Sequence, residues 1–69
     1  MKLSIHDISM VGVVDSENVK LRVEYTPENG DTTIDYGRYN VAQNIYRPGI
    51  DEDEHEEEFL ALQKRVEER

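Results

Sequence analysis

The chain has no cysteine. That excludes disulfides, thiol nucleophiles, thiolate zinc sites and iron–sulfur ligation together. Long apolar runs are also missing: nothing approaches the roughly 20 apolar residues that a spanning helix needs. Asp7 interrupts the N-terminal stretch before it could serve as a secretory signal. The four glycines stand alone at 12, 30, 37 and 49, so no glycine-rich loop is available to cradle a phosphate. Basic residues are scarce, with eight Lys and Arg against sixteen Asp and Glu and a net charge of −8. Such a balance disfavours a nucleic-acid backbone or an anionic membrane as direct partner. At 69 residues there is room for a single domain, 1–69, and not for a second core. Absence of cysteine suits a reducing compartment, so a cytoplasmic location is expected, the host cytoplasm if the protein is viral.

What the sequence does contain is unevenly distributed. Residues 1–50 hold seven acids and five bases, whereas residues 51–69 hold nine acids and three bases, so most of the excess charge lies in the last segment. Twenty of the 25 apolar residues precede Asp51, so the first part must supply most of the core. Adaptation to high salt would acidify the whole surface, which a nearly balanced 1–50 does not fit.

The first part has the periodicity of strands. Val19, Leu21, Val23 and Tyr25 alternate with Lys20, Arg22 and Glu24, giving one apolar and one charged face. Upstream, Leu3 and Ile5 share one parity and Ile8 and Met10 the other, which predicts a bulge or bend near His6-Asp7. Asp15 to Asn18 reads as a hairpin turn, and Asn29-Gly30 as a second. Thr32 to Val41 predicts a third strand in which Ile34 and Tyr36 share a face and Gly37 introduces a kink. Ala42 to Arg47 fits either a short helical turn or a fourth strand, and Pro48-Gly49 ends it.

The C-terminal segment, 51–69, reads as an acidic helix. Asp51 with Glu54 has the form of a capping box, and Phe59, Leu62 and Val66 make a narrow apolar stripe headed by His55. Lys64, Arg65 and Arg69 suit the negative end of the helix dipole. Against this, Glu52/Glu56, Asp53/Glu57 and Glu54/Glu58 would repel at i,i+4, each pair costing about 0.2 to 0.5 kcal/mol. No apolar residue among 51–58 can hold that part down by burial. The expected fold is therefore α+β, a three- or four-stranded antiparallel sheet with one C-terminal helix on a face.

Few chemistries survive inspection. Ser4, Ser9 or Ser16 could join His6 and Asp7 in a nucleophilic triad, yet neighbouring His and Asp on a strand point to opposite faces. His55 among carboxylates could form a weak mixed metal site, but a histidine beside Phe59 is better read as the rim of a core. A calcium loop starting at Asp51 lacks glycine at its sixth position and has Leu62 at its twelfth. No catalytic residue, metal or cofactor is expected.

Two segments have the composition of contact surfaces. Asp51, Glu52, Asp53, Glu54, Glu56, Glu57 and Glu58 form an unneutralised carboxylate row able to imitate a line of phosphates. Tyr36, Arg38, Tyr39, Tyr46 and Arg47 combine broad side chains with polar ends, as interfaces do, although tyrosine on a sheet is equally ordinary core. The expected function is a non-enzymatic interaction protein whose partner is a protein with a basic surface, such as a nucleic-acid-binding site. In composition it is similar to the small acidic inhibitors of phages and mobile elements. The alternative is an assembly subunit that forms a homodimer or pairs with a partner through sheet edges and Tyr/Arg contacts.

Overall fold

The alternating run from Val19 to Tyr25 forms the centre of a strand in the computed structural model, which describes Met1–Arg69 throughout. This strand, β2 (Asn18–Pro27), lies between β1 (Leu3–Val13) and β3 (Thr33–Asn40), and a short β4 (Ile45–Arg47) extends the sheet beyond β3. All neighbours are antiparallel and the spatial order is β1-β2-β3-β4, so each strand pairs with its neighbour in sequence. A single helix, α1 (Glu56–Glu67), packs across one face. No helix is long and apolar enough to cross a membrane.

The inner face of β2 is made by Leu21, Val23 and Tyr25, all buried, while Lys20, Arg22 and Glu24 face outward. β1 follows the twist only by shifting register twice. The first shift falls between Ile5 and Asp7, where the change of parity in the sequence requires it, and the second between Met10 and Gly12. Each places one extra residue, His6 and then Val11, against the partner strand, returning the apolar side chains to the inner face. Asp15 fixes the β1–β2 turn by accepting hydrogen bonds from the amides of Glu17 and Asn18, both at 2.9 Å.

β3 departs from the sequence expectation. Its pairing with β2 runs without interruption through Leu21 and Gly37, so Gly37 causes no kink. Ile34 and Tyr36 do share a face, but it is the outer, exposed one; the inner face carries Asp35, Gly37 and Tyr39. The cause lies in β4, whose Tyr46 is fully buried and lays its ring over Gly37, where a Cβ would collide with it. The Tyr46 hydroxyl donates to Asp35 Oδ2 at 2.5 Å, and the Gly49 amide donates to Asp35 Oδ1 at 2.9 Å. A buried carboxylate is tolerated there because its lone pairs are filled. Residues 41–44 form a turn with Asn44 at φ 55, and the ambiguous 42–47 segment thus resolves as turn followed by strand.

The helix also differs from expectation at its start. Residues 51–55 form a separate turn and α1 begins at Glu56, so the helix is shorter than 51–69 implies. Asp51 caps that turn, its Oδ1 accepting from Asp53 N at 2.8 Å and Glu54 N at 3.2 Å, and no reciprocal bond from Glu54 completes a box. Because α1 starts at Glu56, residues Glu52, Asp53 and Glu54 lie outside it, and the three i,i+4 pairs expected above are not pairs within one helix. His55 sits at the N-cap without a side-chain cap bond and is exposed, rather than packed at the core rim.

From Phe59 onward the expectation holds: Phe59, Leu62 and Val66 are buried, and Leu62 and Val66 join the cluster of sheet residues that forms the core. Polar bonds fix both ends of the helix. The Tyr25 hydroxyl donates to Glu58 Oε2 at 2.7 Å near the start, and the Tyr46 amide donates to Glu67 Oε2 at 2.9 Å near the end. Asn44 Nδ2 adds a bond to the Glu67 carbonyl at 3.0 Å. Eight hydrophobic residues make up the buried core. A chain of this size buries only about 60% of its unfolded surface, so each of them matters.

Candidate functional site

The acidic segment is a projection held at both ends. Before it, Pro48 is buried and Gly49 is bonded to Asp35; after it, Glu58 is bonded to Tyr25 of the sheet and Phe59 is buried. Between these anchors every residue from Asp51 to Glu57 is exposed. One ion pair touches the segment, Arg47 to Glu52 at 3.9 Å, and His55 Nε2 lies 3.9 Å from Glu54 Oε2; both contacts are between exposed groups. Pairs of that kind contribute little. Asp51, Asp53, Glu56 and Glu57 have no ion-pair partner. Glu58 is set apart from the row, because it is half-buried and accepts the Tyr25 hydroxyl. The surface is therefore formed by Asp51, Glu52, Asp53, Glu54, Glu56 and Glu57.

The Tyr/Arg group divides between the two faces of the sheet. Tyr36, Arg38 and Arg47 are exposed on the outer face. Tyr39 is half-buried on the inner face and donates to Asn44 Oδ1 at 2.7 Å, and Tyr46 is wholly core. Neither of these two offers a free contact surface. The Arg47–Glu52 pair makes the outer-face cations direct neighbours of the acidic projection.

Register brings in a residue that sequence reading missed. Lys20 pairs with Arg38, and Arg38 with Arg47, so three cations stand in one row across β2, β3 and β4. The signal was present in the sequence: once the β2–β3 hairpin turns at Asn29-Gly30, the outward Lys20 of β2 falls opposite Arg38. Arg22, in the adjoining row, is committed to Asp7 at 3.8 Å and Glu24 at 3.7 Å.

Other polar groups bond to one another. His6 Nε2 lies 2.6 Å from Thr26 Oγ1, which in turn lies 2.7 Å from Thr32 Oγ1, bracing the end of the sheet. No three His, Asp or Glu side chains converge as metal ligands would. Burial pushes the Tyr25 and Tyr46 hydroxyls well above their ordinary value, and the carboxylates that accept their hydrogen bonds, Glu58 and Asp35, add to the effect. Asp15 is lowered, first by the Glu17 amide, then by the Asn18 side chain, with a smaller contribution from Arg38.

Compared with protein-family models, with curated proteins and with solved structures, the chain matches none.

Proposed function

We propose that this is a non-enzymatic interaction protein whose acidic projection, 51–57, engages a basic surface on a target protein, of the kind that otherwise holds nucleic acid. The observation that carries this reading is the exposure of every side chain in that segment between two fixed anchors. Free carboxylates on a pinned turn keep their charge in solvent and lose little chain entropy on docking. Their field steers them to a cationic groove and repels an anionic one. An inhibitor of the type made by phages and mobile elements would act in this way.

The test is capture from lysate at low and high salt, with wild type beside a variant in which Glu52, Asp53, Glu56 and Glu57 are changed to Gln or Asn. Wild type is expected to retain a basic protein at low salt and release it at high salt, and the variant to retain none. Capture that survives the substitutions with its salt dependence unchanged overturns the reading.

A second reading, assembly through a sheet edge, is favoured by one observation. The free edge of β1 and the segment leaving it expose Met10 at 63%, Val11 at 49%, Val13 at 72% and Val14 at 45%. Unpaired backbone beside exposed apolar side chains is a template for another strand. On that reading light scattering shows a concentration-dependent dimer that Val13→Lys abolishes, whereas a monomer at all concentrations removes it.

A further inference from the structure

The outer face of the sheet is uncovered by the helix, and its charges are segregated. Asp7 and Glu24 oppose each other towards one end, whereas Lys20, Arg38 and Arg47 line up towards the other. Like charges directly opposite on neighbouring strands repel, so an anion lying along the row is favoured. The three cations surround a shallow groove of about 280 Å³, bordered by Tyr36 and floored in part by Gly37 and Gly49. Gly12 continues the row on β1 without adding a side chain beside Lys20.

We propose that this groove binds a small phosphorylated anion carrying two or more phosphoryl groups in line. Neighbouring strands are about 4.8 Å apart, so the row spans about 10 Å, a length suited to a short oligophosphate. Arg38 and Arg47 offer planar forks that match phosphate oxygens two at a time, and Lys20 adds a point charge. Tyr36, half-exposed at 51%, contributes a ring and a hydroxyl at the border.

Two carboxylates compete for the row. Asp15 is held by its own turn through bonds from the amides of Glu17 and Asn18. Glu52 is not: its 3.9 Å approach to Arg47 is its sole ion pair, and an incoming anion displaces it. A compact ligand also escapes most of the −8 net charge, because screening confines repulsion to about 8 Å at physiological salt. A polynucleotide would run beyond the row towards the acidic projection or towards Asp7 and Glu24. The site shares only Glu52 with the surface proposed above, and its cations lie outside residues 51–57, so tripolyphosphate binding and capture of a basic protein fail separately.

The test is an amide NMR titration of the full chain with sodium tripolyphosphate, against sodium chloride at matched ionic strength. Saturable shifts are expected at Lys20, Tyr36, Arg38 and Arg47. Lys20→Gln and Arg38→Gln should each weaken binding by about tenfold, the scale of one charge-assisted hydrogen bond. Glu52→Gln should tighten it, and Arg69→Gln should leave it unchanged. All four side chains are exposed, and retained spectral dispersion confirms folding of each variant. The proposal is overturned by shifts that do not saturate, that sodium chloride reproduces, or that spread equally over Lys64, Arg65 and Arg69. It is also overturned if Glu52→Gln fails to tighten binding, or if a single-stranded oligonucleotide occupies the row more tightly than tripolyphosphate.

Discussion

Tyr46 lies over Gly37 so closely that no side chain fits between them. A Cβ at Gly37 would meet the Tyr46 ring, so Gly37→Ala is expected to destabilise the fold by about 1–3 kcal/mol, read as a lowered urea midpoint. Tyr46→Phe should cost a similar amount for a different reason, since it leaves buried Asp35 short of a donor. The same hydroxyls set an alkaline limit. Tyr25 and Tyr46 ionise above their ordinary 10.0 in the folded state, so stability from keeping them neutral is complete below pH 10.0 and is lost as pH rises beyond it. Tyrosinate absorbance from these two residues should appear together with loss of far-ultraviolet circular dichroism; ionisation with the fold intact would contradict that. Asp35 also marks a limit of sequence reading. An acid between Ile34 and Tyr36 looks like the outward residue of a strand, and only Tyr46, eleven positions on, turns that face inward.

At the scale of elements, legibility followed the strength of local signals. β2 was readable because its alternation is unbroken, the first β1 bulge because the parity change forces it, and the helical stripe because Phe59, Leu62 and Val66 have no other use. The second bulge, at Val11, was hidden because a run of valines fits either register. The helix start was misplaced because capping signals at Asp51 outweighed the like-charge repulsion. Leu62 is fully buried at the centre of the helix contact, and Leu62→Ala is expected to cost about 2–5 kcal/mol. Against a usual net stability of about 5–15 kcal/mol, that puts a core this small close to unfolding, as calorimetry would show by a lowered and broadened transition.

Across the whole molecule, charge is arranged as two opposite neighbouring surfaces rather than as a uniform acidic coat. Composition located the acidic one, because its residues are consecutive. The cationic row was invisible to composition, because Lys20, Arg38 and Arg47 are brought together only by strand pairing. Of the tyrosines, parity along β3 puts Tyr36 and Tyr39 on opposite faces, but which face is buried is decided by what packs on it and not by residue type.

Strand order carries a kinetic consequence. With every ladder closed between successive strands, the sheet can assemble by short loop closures, whereas the Tyr25–Glu58 bond joins residues 33 apart. The helix should therefore settle after the rate-limiting barrier has been crossed. Stopped-flow measurements on Leu62→Ala should then show faster unfolding and a nearly unchanged refolding rate, while Val23→Ala on the central strand should slow refolding. Between those two events the apolar side of the sheet lies open to water, and that brief interval is when the chain is most exposed to aggregation.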